Sequence, residues 1–307
     1  MDDISVKHCI QNGVLIGSRG ELYLAHGAHR PLDYLDGSKP PPEEAFARFR
    51  RNLHNRQTFC KKIGVEKYIH VMAPDKHAVM TDDFPLKGRT SLGQQVGSHP
   101  ALLYPVQALQ TVQPRPYHMT DTHWTIRGCA KAIEETLNHL GITGGLSCAL
   151  DDLVVPETPL LGDLGLKLGN IAPEESEQIR PKHEIRVAKS ASSRGNMGRI
   201  IGVRSRHPDA RGRAMIFCDS FFLGRYQLFT YIFEETILCR SPYLHKELVL
   251  QSRPDVVITQ SAERYLASPI SDKDAPPFFL LAALHGHEQG CSPANAELLA
   301  SLLMPRR

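Results

Sequence analysis

Arg213-Ala214-Met215-Ile216-Phe217-Cys218-Asp219-Ser220-Phe221-Phe222 is the stretch from which the fold is read. Five apolar residues behind Arg213 predict a short buried strand, and Asp219-Ser220 opens a helical or irregular stretch beyond it. The same pattern recurs on both sides. Upstream, Lys67-Tyr68-Ile69-His70-Val71-Met72-Ala73 is a β-branched and aromatic run stopped by Pro74, with the loop Asp75-Lys76-His77 after it. Downstream, Arg253-Pro254-Asp255-Val256-Val257-Ile258-Thr259-Gln260 leads into Ser261-Ala262-Glu263-Arg264-Tyr265-Leu266. Tyr117-His118-Met119 leads through Thr120-Asp121-Thr122-His123-Trp124-Thr125 into a helix expected at about Arg127 to Leu140, whose Ala130, Ile133, Leu137 and Leu140 form a buried stripe. Short apolar strands alternating with helices predict an α/β fold with three α/β/α layers and a mainly parallel central sheet.

Working outward, Lys39-Pro40-Pro41-Pro42 hands over to an amphipathic helix expected at Glu43 to Gly64, marked by Phe46, Phe49, Leu53 and Phe59. Glu184 to Val187 and Gly198 to Val203 read as strands separated by Ser190-Ala191-Ser192-Ser193-Arg194-Gly195-Asn196. Ser292-Pro293 opens a terminal helix, with Ser as cap and Pro at the first helical position. Residues 151–181 are rich in Gly, Pro and acid and show no period, which suggests a loop or lid insertion.

Composition sets outer limits. The 307 residues are 41% hydrophobic and 22% charged, which excludes disordered, collagenous and coiled-coil classes. A net charge of +3 is too mild for a general nucleic-acid binder. No stretch reaches the roughly 18 apolar residues of a membrane helix, so no membrane insertion is expected. Met1-Asp2-Asp3-Ile4-Ser5 lacks the basic-then-apolar pattern of an export signal. The sequence as it stands therefore points to the cytoplasm, and to the periplasm if an N-terminal export segment has been removed. The seven cysteines, at 9, 60, 129, 148, 218, 239 and 291, are scattered and lack a C-x-x-C pair, which fits reduced thiols.

Ser220 stands just past a strand and before a possible helix, where backbone N–H groups can face a developing oxyanion. The bland alternative is a helix N-cap, the commoner reading of an arbitrary strand-Asp-Ser sequence. A serine nucleophile needs a base and the base an orienting group, and Asp121-Thr122-His123 supplies both. On an extended segment, positions two apart face one way and can enter one cleft. The same pair would also suit a surface ion pair or one arm of a metal site.

Together these blocks resemble the alginate O-acetyltransferase family of SGNH-hydrolase-like proteins, the AlgX and AlgJ group. Thr120-Asp121-Thr122-His123-Trp124 is similar to that family's Asp-x-His-Trp block, and Cys218-Asp219-Ser220-Phe221 to its Gly-Asp-Ser-Phe block, with Cys218 where Gly is usual. Gly20-Glu21-Leu22-Tyr23-Leu24, Ala73-Pro74-Asp75-Lys76 and Arg253 to Leu266 follow in the family's order, over about residues 13 to 267. The resemblance implies one SGNH-like catalytic domain spanning 1–307. Within it, Ser220 is the nucleophile, His123 the general base and Asp121 its orienting carboxylate, while Trp124, Lys76, Arg264 and Tyr265 line the substrate site.

The implied reaction is O-acyl transfer, most simply of acetyl, to a sugar hydroxyl through an acyl-serine. A carbohydrate esterase or deacetylase using the same residues is the nearest rival, and a non-catalytic glycan-binding member a further one. The implied partners are a carbohydrate acceptor and an acyl donor or acyl-carrying protein. No metal and no cofactor beyond that donor is expected. Relatives usually work outside the cytoplasm, and because the chain ends soon after the matched blocks no appended carbohydrate-binding module is expected. The mild charge favours a neutral or mildly acidic sugar over a polyanion. Arg194, Arg199, Arg204, Arg206, Arg211 and Arg213 read most simply as a solvated face, with an acidic-glycan surface as the minority alternative. His285-Gly286-His287-Glu288 with Cys291 has metal-binding atoms but no standard zinc spacing.

Overall fold

The stretch 213–222 lies at the centre of the main sheet. In a computed structural model of the chain, residues 9–306 are described apart from 144–145, 147–149, 170, 193–196 and 287–288. Three short N-terminal strands, β1 (Ile10–Gln11), β2 (Val14–Ile16) and β3 (Leu22–Leu24), form a small antiparallel sheet. Then come β4 (Lys67–Ala73), β5 (Leu102–Leu103), the antiparallel pair β6 (Val154–Pro156) and β7 (Glu177–Ile179), β8 (Ile185–Lys189) and β9 (Ala191–Ser192). They are followed by β10 (Ile200–Ser205), β11 (Arg213–Cys218), β12 (Glu235–Arg240), β13 (Val256–Ala262) and β14 (Gln289–Gly290), the last pairing with β9. The main sheet has seven strands in the order β5-β4-β13-β11-β12-β10-β8. Pairing is parallel from β5 to β12 and antiparallel for β10 and β8 at one edge, so the fold is mixed α/β with a mostly parallel sheet.

Every residue of β11 is buried. Its side chains alternate between two apolar clusters, as a pleated strand requires. Ala214, Ile216 and Cys218 join Ile69, Val71, Ile258 and the helix Ile126–His139; Met215 and Phe217 join the helices Lys246–Ser252 and Pro293–Leu303. The helix expected at 127–140 starts at Ile126, where the Thr125 hydroxyl accepts from the Gly128 N–H at 3.1 Å. It stops where Gly141 turns left-handed with φ 62°. The amphipathic helix runs Glu43–Lys62 and buries Phe46, Phe49 and Leu53.

Two expectations change. Tyr117-His118-Met119 is no strand of the sheet; it makes a single bridge, Tyr117 to Trp124, and forms one side of a turn. The arginines are not one solvated face either. Arg206 and Arg211 are exposed, but Arg213 is 2% exposed, and Arg194 lies outside the described residues. The Arg213 guanidinium donates to Glu235 at 2.8 Å, to the Met304 carbonyl at 2.7 Å and to the Ser252 carbonyl. Arg204 takes the other Glu235 oxygen at 2.8 Å. A charge starting a central strand is thus buried only because acceptors surround it. No disulfide joins the described cysteines.

Arg213→Ala leaves Glu235 and two carbonyls short of a donor and is expected to lower stability by about 3–5 kcal/mol. Urea unfolding checks this, and a loss below about 1 kcal/mol, the size of a surface pair, would mean that Arg204 and Arg306 hold Glu235 without it.

Candidate active site

Ser220 sits where β11 ends. The helix Ser220–Leu223 is one turn long, and its cap is Asp219, not Ser220: the Asp219 carboxylate accepts from the Phe221 N–H at 2.9 Å. Ser220 is therefore at the first helical position, where an N–H has no intrahelical acceptor. Asp219 is clamped from the neighbouring strand as well. Its second oxygen accepts from the Ala262 N–H at 2.7 Å, and its own N–H donates to the Gln260 side-chain carbonyl at 3.1 Å. The neighbouring Cys218 is buried, and burial, with the Asp219 charge adding, pushes its thiol well above the usual range. It is a protonated packing residue beneath the turn.

The structure brings Asp121, His123 and Ser220 together. His123 Nε2 lies 2.7 Å from Ser220 Oγ, and His123 Nδ1 lies 2.6 Å from an Asp121 oxygen. The means differs from the extended segment expected. Residues 118–123 turn back on themselves, with the His118 N–H donating to the His123 carbonyl at 3.2 Å, and Asp121 accepts the His123 backbone N–H at 2.7 Å as well. Burial works to raise the Asp121 carboxyl, but hydrogen bonds from His123 and from the Asp163 and His123 N–H groups outweigh it and hold the group well below the usual carboxylate range.

What shapes that turn lies in residues 151–181, which carry β6, β7 and the helix Asp163–Leu168. The Asp163 N–H donates to the second Asp121 oxygen at 2.8 Å, and its carboxylate accepts the Thr122 N–H at 2.8 Å and hydroxyl at 2.7 Å. Glu174 accepts the Met119 and Thr120 N–H groups, both at 2.7 Å, and the Thr120 hydroxyl at 2.6 Å. Gly162 is needed for this fit, since a Cβ there would stand 2.2 Å from the Thr120 carbonyl oxygen. Sequence reasoning missed Asp163 and Glu174; the acid content of residues 151–181 was the only signal.

The remaining expected residues fall on different sides of the site. Trp124 is 1% exposed and packs edge-on to Phe221, with ring centroids 4.8 Å apart, so it supports the turn at Ser220 and turns inward from the surface. Lys76 is likewise buried: its ammonium donates to the Leu22 carbonyl at 2.9 Å and the Met119 carbonyl at 2.7 Å and pairs with Glu21 at 2.8 Å, tying the loop to β3. Arg264 pairs with Asp75 and lies over the Phe221 and Tyr265 rings. Tyr265 lines a cavity beside Asp219, and Lys76 a far smaller one of about 10 Å³. Asp121, His123 and Asp163 also have atoms close enough to share a metal ion. All four carboxylate oxygens already accept hydrogen bonds, so the donor set reads as a hydrogen-bond network. In the other metal-like cluster, His287 and Glu288 lie outside the described residues.

No family model and no curated protein matches the chain. Solved structures do. A DHHW family protein from Eubacterium siraeum is 13% identical, with 84% of this chain and 93% of that one covered and a TM-score of 0.59. PatB1 of Bacillus cereus, solved with a sulfonyl adduct, is 13% identical, with 87% and 98% covered and a TM-score of 0.56. The likeness is one of fold. The O-acetyltransferase domain of Pseudomonas putida AlgJ, from the group that the motifs resemble, is also among the neighbours, at 16% identity, 86% and 96% coverage and a TM-score of 0.49.

Because the Asp121 carboxyl is depressed in the folded chain, it stabilises the fold above its unfolded pKa, about 3.9. That contribution fades as pH falls through the lower folded value. The melting-temperature gap between the unchanged chain and Asp121→Asn should therefore be widest near neutral pH and shrink below about pH 4. Thermal unfolding across pH reads it, and a gap that stays constant into acid would count against the charged Asp121.

Proposed function

We propose that the chain is a serine-dependent O-acyltransferase that moves an acyl group, acetyl first among them, onto a sugar hydroxyl, on an α/β/α framework of SGNH type. The observation that carries this reading is the unbroken line of short contacts from Ser220 Oγ through His123 to Asp121. With Nδ1–H directed at the carboxylate, His123 Nε2 is left to accept the Ser220 proton. Ser220 Oγ then attacks the carbonyl carbon of the donor, and the Ser220 N–H supports the oxyanion. His123 returns the proton to the leaving group, which departs from an acyl-serine. In the second half, Nε2 takes the proton of the acceptor hydroxyl, the sugar oxygen attacks the acyl carbon, and the proton returns to Ser220 Oγ as it leaves. The motif resemblance supplies the choice of acetyl and of a sugar, and it implies an acyl donor or acyl-carrying protein as partner. These steps require no other cofactor.

Ester hydrolysis is a second reading with an observation of its own. The His123 side chain is 31% exposed, so water can reach the base and replace the sugar.

A chromogenic acetyl ester tests the nucleophile. Turnover by Ser220→Ala should fall by at least about a thousandfold, and equal turnover by the two proteins would sink the assignment. Mass spectrometry of candidate sugars incubated with donor and enzyme separates the readings, because only a transferase yields acetylated sugar.

A further inference from the structure

A cavity of about 280 Å³ lies among the C-terminal ends of β11, β12 and β13. Cys218 and Asp219 line it from β11, Arg240 from β12, and Gln260 and Ser261 from β13, with Tyr265 and His29 beside them. Outside the carboxyl ends of the strands is where open α/β sheets receive ligands. Asp219 directly precedes Ser220, so the cavity reaches the turn that carries Ser220, while Ser220 and His123 themselves stand outside its lining.

Two lining residues carry buried polar atoms with no hydrogen-bond partner among the described residues: Gln260 Nε2 and His29 Nδ1. Gln260 is 2% exposed. Its amide cannot be turned round, because its carbonyl oxygen receives the Asp219 N–H and a flip would oppose two donors. The nearby Asp219 carboxylate is held by the Phe221 and Ala262 N–H groups and takes no hydrogen bond from Gln260 Nε2. The Ser261 hydroxyl is engaged with His70 Nε2 at 3.2 Å. A buried donor without an acceptor costs about 1–3 kcal/mol, so the pair of orphans is costly unless a bound molecule supplies partners.

The character of that molecule follows from the lining. Burial, with Arg264 adding, lowers the His29 pKa, so its imidazole is neutral near pH 7 and its free nitrogen can accept or donate. Arg56 in the wall is neutralised by a two-pronged pair with Asp272 at 2.6 and 2.7 Å. Arg240 and Asp219 contribute one charge of each sign. A neutral ligand whose groups both donate and accept suits this, and hydroxyls do both. At about 280 Å³ the cavity is far larger than an acetyl group needs and has room for a sugar ring. The Tyr265 and His29 rings, edge to face with centroids 4.8 Å apart, add an apolar surface beside the polar atoms.

We propose that this cavity is the subsite for one neutral pyranose unit of the acceptor, with Gln260 and His29 as the residues that read its hydroxyls. The proposal rests on the acyl-transfer reading and gives it an acceptor class.

Calorimetric titration with methyl β-D-glucopyranoside, methyl α-D-mannopyranoside and methyl β-D-glucuronopyranoside tests it. A neutral glycoside should bind saturably, and the uronic acid more weakly. Gln260→Glu keeps an oxygen for the Asp219 N–H and removes the donor; His29→Phe keeps the ring and removes the nitrogen. Each should weaken the neutral glycoside at least about tenfold; His29→Phe should leave the melting temperature unchanged, whereas Gln260→Glu, a second carboxylate beside Asp219, should lower it. If Gln260→Glu does not fold, His29→Phe carries the test. The proposal is overturned if folded variants bind as the unchanged chain does, if no neutral glycoside saturates below about 50 mM, or if a soaked crystal places the ring elsewhere. Ser220-dependent ester cleavage without glycoside binding overturns the subsite and leaves the acyl-serine standing; glycoside binding without ester cleavage does the reverse.

Discussion

Two carboxylates hold the site together. Asp163 and Glu174 collect the N–H groups of Met119, Thr120 and Thr122, which would otherwise point unpaired into the base of the cleft. A turn as tight as 118–123 leaves its amides with no sheet or helix to satisfy them, and charged acceptors make stronger bonds than neutral ones. Lys76 closes the same loop from the other side through the Met119 carbonyl. These bonds pin the loop from both sides in the arrangement that sets His123 Nε2 2.7 Å from Ser220 Oγ.

Much of the scaffold was legible from the chain alone. The short apolar runs at 67–73, 213–218 and 256–262 became adjacent parallel strands because a strand buried on both faces has no polar side to vary its pattern. Asp121 and His123 were legible as a pair for a reason that proved different: a spacing of two suits an extended segment, yet here Asp121 bends back to cap the His123 amide. Spacing fixes which residues can meet and leaves open the route by which they do. The same limit explains Trp124 and Lys76. Their residue types suit a substrate surface equally well, and only packing reveals that both face inward.

Asp163 and Glu174 were out of reach for a further reason. They act across 42 and 54 residues of chain, on backbone atoms that every residue possesses, so no side-chain pattern on the partner loop announces them. Gln260 is hidden similarly within a run that reads as plain strand.

Ser220 and His123 have separate supports. Ser220 is fixed by the main sheet through Asp219, β11 and β13, whereas His123 is fixed by residues 151–181 with their own antiparallel strand pair, and the 2.7 Å contact between them crosses from one support to the other. The reach and angle of His123 are therefore set apart from the serine's sheet: a change in residues 151–181 that donates differently to Asp121, or accepts differently from Thr122, would move the histidine while Ser220 and its sheet stayed as they are.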